Sequence, residues 1–442
     1  MVQLRVYTRE ATEIYPDGLA YSVHMSLRSA SGAETPLNRN YGLLFASAVI
    51  DEHDRICPRF LSDPRVAPAD DGWVISAKVD QLYDRWFTRD FCCFEPLGMT
   101  EEAMQGTASI DIPDTIAEKA LHTWNDTIGA PFSIDPEVPR GLRYPLAKGY
   151  GDPVFLKWQG VYYFIATNDK TNNVGLYIRR SESLEGLFSA EEKLLLAYNE
   201  ALGLMQTFWA PEFHMIGGRL SILFAVSGRQ WGPQCQIMQL KDHGTVDDPA
   251  SWTAPRAIVR QDGSPLVGEN TITLDMTCIR GRKLYVVWSQ RRHIGTPMDT
   301  GSMLYIAELN EKEPWKLDSD PVLLSRPLFG WENVSGTINN EGPYALIGGG
   351  RVWLTYSGGS ANAFTYTVGL LTADITADLL KVENWTKSPM PVLSFASVPG
   401  EYGPGHNSFF KDDDGQLWIA YHTVQGYDQH ERCVTMHRLT FM

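Results

Sequence analysis

The 442 residues predict an all-β chain with a C-terminal five-bladed β-propeller and an N-terminal β-sandwich-like domain, and two observations carry that prediction. A carboxylate or histidine recurs at Asp152, Glu212, Asp275, Glu341 and His406, in steps of 60, 63, 66 and 65 residues. Each stands in a short strand-forming stretch: GDPVFLKW, WAPEFHMI, TLDMTCI, NEGPYALI and GHNSFFKD. A second β-rich stretch follows every time: VYYFIAT, LSILFAV, LYVVWSQ, VWLTYSG and LWIAYHT. Consecutive units of this kind are expected to be antiparallel sheets set around a central channel. If the innermost strand opens each unit, the five polar residues converge on that channel.

The elements follow in order. Residues 1–140 differ in character from the repeats. Alternating stretches at Gln3–Thr8, Leu19–Arg28, Tyr41–Ile50, Trp73–Val79, Arg85–Phe94 and Ala108–Ile112 predict a small antiparallel sandwich. Asp114 is placed to cap a helix over Thr115–Trp124, in which Ile116, Ala120, Leu121 and Trp124 share a face. A proline-rich connector, Ala130–Pro145, then marks the domain boundary, which leaves 141–442 for the propeller. The ring is expected to close by packing of the first unit on the last, or by a strand from the connector near Leu142–Ala147.

Composition narrows the partners. With 38 Lys and Arg against 53 Asp and Glu, the formal charge is −15 and no strand carries a basic run, so nucleic acid is excluded as a partner. No stretch reaches the roughly 18 to 20 apolar residues of a membrane span. The N-terminus MVQLRVYTRE lacks the apolar run of a signal peptide, and a cytoplasmic location is expected from it. The six cysteines fall in no metal-type spacing and are read as buried free thiols. The 13 Trp and 19 Tyr supply flat faces on which sugar rings stack. Oligomeric state is left open.

Three acids carry the chemistry. Asp152 in Gly151-Asp152-Pro153 and Glu341 in Glu341-Gly342-Pro343 each read, alone, as turn residues. Asp275 differs, because it lies inside an apolar strand, where an unpaired carboxylate costs several kcal/mol. Sharing one channel, the three divide into base, acid and tuner. Inverting glycoside hydrolysis needs a carboxylate to activate water and a protonated carboxyl for the leaving oxygen. A neighbouring negative charge raises the pKa that keeps the second one protonated.

Residues from about Tyr150 to Phe441 resemble glycoside hydrolase family 43, the five-bladed arabinofuranosidases, β-xylosidases and arabinanases. The motifs are Gly151-Asp152-Pro153 with Tyr162-Tyr163, Trp209-Ala210-Pro211-Glu212, Asp275 followed by Leu284-Tyr285-Val286, Glu341-Gly342-Pro343-Tyr344, and Gly403-Pro404-Gly405-His406-Asn407. The resemblance implies Asp152 as general base, Asp275 as the residue that orients and tunes the acid, and Glu341 as general acid. It implies His406 in the channel beneath the sugar, as the candidate metal ligand, and Arg432 reaching the sugar or the acid. Trp209 and Phe208 are candidates for the aromatic wall, and Glu212 for a structural anchor. No cofactor is required, and a structural Ca2+ in the channel is allowed. The expected function is an exo-acting, inverting hydrolase releasing α-L-arabinofuranosyl units from plant cell-wall oligosaccharides. β-D-xylosidase, alone or as a dual activity, is the alternative, and a non-catalytic carbohydrate-binding propeller a more distant one.

Overall fold

The computed structural model describes residues 1–129, 131–138 and 141–441. Ala130, Pro139 and Arg140 of the expected connector, and the terminal Met442, lie outside the described residues. The chain is all-β apart from a few short helices, and among the described residues no helix is long and apolar enough to cross a membrane.

From residue 150 onward the described strands, apart from a short pair at Asn333–Val334 and Thr337–Ile338, form five antiparallel sheets in chain order. Sheet I comprises Tyr150–Trp158, Val161–Asn168, Leu176–Ser181 and Lys193–Leu196. Sheet II comprises Gln206–Ile216, Arg219–Ser227, Gln234–Gln239 and Arg256–Ala257. Sheet III comprises Thr271–Arg280, Leu284–Arg292, Ser302–Glu308 and Val322–Ser325. Sheet IV comprises Asn340–Gly348, Arg351–Gly358, Thr367–Asp374 and Trp385–Lys387. Sheet V comprises Tyr402–Lys411, Leu417–Val424 and Cys433–Phe441. The second strand of every unit lies where the sequence predicts it, because a run of apolar and β-branched residues buried on both faces has one stable conformation.

The first strand of each sheet packs against the first strand of the next, and that of sheet V returns to that of sheet I. Each neighbouring pair also shares an apolar core. Phe213 and Phe224 meet Val154 and Ile165 between sheets I and II, and Phe410, Trp418 and Met436 meet Phe155 and Phe164 between V and I. Sheet V completes itself from upstream. Phe132–Ile134 pairs antiparallel with the last strand, Phe132 opposite Phe441, and Ala147–Lys148 pairs with Val434 and Cys433. The strand at 132–134 lies ahead of the expected boundary at 140, whereas the pairing at Ala147 follows one of the two closures expected.

Residues 1–112 supply two more four-stranded sheets. One runs Ser109–Ile112, Val2–Tyr7, His24–Arg28, Glu34–Pro36, and the other Ser62–Ala69, Gly72–Val79, Leu82–Thr88, Glu95–Thr100. Leu4, Val6, Met25, Leu27, Ile75, Ala77 and Val79 share the core between them. The edge strand Ser62–Ala69 escapes sequence detection because Pro64 and Pro68 interrupt it, and an edge position is where a sheet tolerates proline. The helix runs Asp114–Leu121 with Pro113 at the N-cap and no side-chain cap. Asp114 is its first residue and meets the N-terminal ammonium at 3.0 Å instead. All six cysteines are free, but only Cys235 and Cys433 are buried.

Candidate active site

The same irregularity occurs in the first strand of all five sheets. Two residues of that strand oppose one residue of its partner at 152–153, 210–211, 275–276, 342–343 and 406–407, and the first strands of sheets II and V carry a second such place upstream, at 207–208 and 403–404. The first residue of each pair has a left-handed backbone: Asp152 (φ 56°), Ala210 (46°), Asp275 (56°), Gly342 (55°) and His406 (47°). Such bulges bend a strand and re-aim a side chain, and left-handed non-glycine residues cluster at functional sites. Asp152, Asp275 and His406 thus occupy equivalent places. Glu341 and Glu212 do not: Glu341 stands one residue before its bulge and Glu212 one residue after.

A bulge also frees a backbone amide from the ladder, and in four of the five a side chain from a neighbouring sheet takes it. Thr167 Oγ1 accepts the Ala210 N–H at 2.8 Å, and Asp275 Oδ2 accepts the Gly342 N–H at 3.0 Å. Ser357 Oγ accepts the His406 N–H at 2.7 Å, and His422 Nδ1 accepts the Asp152 N–H at 3.1 Å. Asp275, apparently unexplained inside an apolar strand, therefore has a partner, and that partner is the residue after Glu341.

Asp152, Asp275, Glu341, His406, Arg432 and Trp209 line one cavity of about 300 Å³. Phe208 does not. It is fully buried in the core between sheets I and II, because adjacent residues of a strand face opposite ways. Arg432 contacts the base candidate rather than Glu341. Its Nη1 donates to Asp152 Oδ1 at 3.0 Å, while Nε and Nη2 grip Asp169 at 2.9 and 2.6 Å. Gly151 makes room for it, since a Cβ there would stand 2.0 Å from the guanidinium. Glu212 is buried and bonded to His214 at 2.7 Å, in keeping with an anchoring part.

The two carboxyl types are driven apart. Burial alone would raise the Asp152 carboxyl, but the His406 and Arg432 cations outweigh it and hold it well below the usual range. The Thr167 hydroxyl donates to its other oxygen. Glu341, which opens partly onto the cavity, is pushed up to about 7, first by burial and then by the Asp275 charge. Asp275 rises to about 6, again chiefly by burial, so the two acids titrate as one interacting pair. Tyr366 donates its phenol O–H to Glu341 Oε1 at 3.0 Å.

The residue types of the five motifs were legible, but several site residues carried no signal. Tyr366, Thr167, Asp169, Arg291 and His422 lie in ordinary strand or loop sequence. Only His422, the one polar residue amid the apolar run LWIAYHT besides a threonine, could have been singled out.

His406 was the candidate metal ligand. Its Nδ1 faces Asp152 Oδ1 at 3.1 Å, and Nε2 is buried without a partner. Burial alone would lower its pKa, yet the Asp152 and Asp275 carboxylates raise it to about 9, which favours the charged ring. Among the described residues no three His, Cys, Asp or Glu side chains gather where they could hold an ion. A lone imidazole without an oxygen cage does not fit Ca2+.

Residues 143–442 match the family model described as Glycosyl hydrolases family 43. The chain is 33% identical over 336 residues to the "Extracellular exo-alpha-(1->5)-L-arabinofuranosidase" of Streptomyces chartreusis, covering 74% of this chain and 97% of that protein. It is 34% identical over 318 residues to the Streptomyces avermitilis protein of the same name, covering 71% of this chain and 62% of that one. Among solved structures, an alpha-L-arabinofuranosidase from Lactobacillus brevis aligns with a TM-score of 0.60 at 30% identity, over 69% of this chain and 94% of that one. The expected cytoplasmic location is corrected by these findings, since both Streptomyces relatives are named extracellular. That expectation rested on the first residues alone, and they carry no record of any segment ahead of them.

Proposed function

The chain belongs to glycoside hydrolase family 43, and on that footing we propose that it is an exo-acting α-L-arabinofuranosidase that inverts configuration. The five sheets are the blades of a propeller, residues 141–442 its catalytic domain and residues 1–140 a β-sandwich-like domain. One arrangement carries the mechanism: Asp152 and Glu341, whose surroundings push their carboxyl pKa values in opposite directions, face a single cavity of about 300 Å³. Asp152, ionised, takes a proton from water as it attacks the anomeric carbon. Glu341, protonated, delivers its proton to the departing oxygen, so that neither product leaves charged. Asp275 holds the Gly342 amide and adds the charge that keeps Glu341 protonated. Trp209 offers an aromatic face to the sugar.

An oligosaccharide substrate is supported by a second cavity of about 400 Å³, which shares Trp231, Ile272 and Ile294 with the first. Trp231 is 48% exposed, and polar Gln230, Asn270 and His293 surround it, a lining suited to the leaving sugars. The relatives' names favour arabinofuranosyl over xylosyl units.

Glu341→Ala tests the assignment. It should lose about 10²-fold or more in kcat on an arabino-oligosaccharide, and much less on a nitrophenyl arabinofuranoside, whose leaving group departs without a proton. Equal losses on both would remove Glu341 as the acid. Proton NMR of the first sugar released should show the inverted anomer, and retention would remove Asp152 as the base.

A further inference from the structure

Residues 1–142 lie outside the family match, and none of the described residues among them lines the cavity. They are nonetheless built into the segment that leads to Glu341. The Asp17 carboxylate accepts the Ser335 N–H with both oxygens, at 3.2 and 3.0 Å. At Gly18 the contact is backbone against backbone, since a Cβ there would stand 2.1 Å from the Gly330 carbonyl oxygen. Ala48 N–H donates to Leu328 O at 2.6 Å, and Asp54 pairs with Arg326 at 2.8 Å and with Arg292. Leu19, Tyr41 and Phe45 share a core with Trp331, Val334 and Tyr356.

Inside that segment the contacts run on to the site. Glu332 is fully buried and gathers the Phe329 N–H (2.8 Å), Tyr356 Oη (2.9 Å), Lys387 Nζ (2.6 Å) and Asn340 Nδ2 (2.7 Å). Asn340 is the residue before Glu341. Asn339 Oδ1 accepts from Arg291 Nη1 at 3.4 Å, and Arg291 lines the cavity beside Glu341.

We propose that the N-terminal region is a positioning element for the reaction: its turn at Asp17 and Gly18 clamps residues 330–340 and thereby sets where Glu341 and Arg291 stand. The inference rests on Glu341 being the general acid and goes beyond that reading by assigning a role to residues that the family match leaves out. Asp17 and Gly18 touch neither substrate nor reacting atoms, so both are positioning residues. The physical basis is that proton transfer depends on placement, and a shift of 1 Å at a reacting group is worth about 10²-fold.

The test is a pair of substitutions. Gly18→Ala drives a methyl against the Gly330 carbonyl without disfavouring its own helical turn, and Asp17→Ala deletes the carboxylate that holds Ser335. Each should lower kcat on an arabino-oligosaccharide by about tenfold or more, with KM within about twofold and a clearly smaller loss on a nitrophenyl arabinofuranoside. Arg65→Ala, which removes an exposed ion pair elsewhere in the N-terminal region, should change neither. Unchanged kcat in both clamp variants, or equal losses on both substrates, overturns the proposal. If Gly18→Ala fails to fold, Asp17→Ala decides, because Asp17 is partly exposed. Glu341→Ala is measured in parallel. If it shows the leaving-group signature while the clamp variants do not, this inference alone fails, and if it lacks the signature the acid assignment falls and takes this inference with it.

Discussion

His406 and His422 flank Asp152, and their surroundings push the two ring pKa values in opposite directions. His422 Nε2 can only donate to the Ala361 carbonyl at 2.9 Å, while its Nδ1 accepts the Asp152 amide, so the ring is neutral. Burial, with Arg432 nearby, lowers its pKa to about 3. His406, raised to about 9, acts with Arg432 to hold the Asp152 carboxyl low. The sign for stability follows. A histidine raised above its unfolded value of roughly 6.5 contributes in full below pH 6.5 and loses that contribution as pH rises through about 9. The melting temperature should therefore fall across this window, and His406→Gln should flatten the fall. A fall of the same steepness in the variant would reject the charge assignment. Asp275→Asn keeps the shape and an acceptor for the Gly342 N–H but removes a charge. Since burial is the larger cause of the raised Glu341 pKa, the alkaline limb of the rate profile should move down only part of the way, on the order of one pH unit. An unmoved limb would show that Asp275 does not tune the acid.

The five bulges are the elements that turn an apolar strand into a site. Each brings one residue into the left-handed region, which costs a non-glycine residue about 1–2 kcal/mol. Asp152, Asp275 and His406 bear that cost where their side chains are used, whereas Ala210 bears it with no side chain to aim. Ala210→Gly should accordingly be close to neutral in melting temperature, because relief of strain offsets the added freedom of the unfolded chain. Gly342→Ala should be costly, by about 1–3 kcal/mol, since it combines the left-handed backbone with a methyl 2.8 Å from the His406 ring. Thermal melts of the two variants check this, and comparable losses would show that the bulges are not equivalent. The motifs that hold these bulges were legible as residue types at regular spacing, but the register was not. Spacing aligns Glu212 and Glu341 with Asp152, whereas the ladder places both beside the bulge, because a count of residues cannot register that two of them oppose one.

The whole molecule is joined through its upstream segment. Phe132 is fully buried against Trp353, Phe409 and Phe441, and its strand forms the outer edge of the last sheet. Phe132→Ala should destabilise the entire chain by about 3–5 kcal/mol, read as one cooperative shift in denaturant unfolding. A loss confined to a separate transition would mean that the segment is not part of that sheet's core. The sequence by itself determined the all-β class, the five strand pairs and the three acids, since period, turn residues and out-of-place carboxylates are local properties of a chain. A resemblance in motif also pointed to Arg432 and His406, and both line the same cavity. Only the tertiary structure decided that Phe208 turns away while Trp209 faces the cavity, that Arg432 serves Asp152, that Asp275 grips the amide beside Glu341, and that residues 17 and 18 brace the segment ahead of it. Those are contacts between residues up to 318 positions apart, and they depend on which faces meet when the sheets pack, a property that no local stretch of sequence carries.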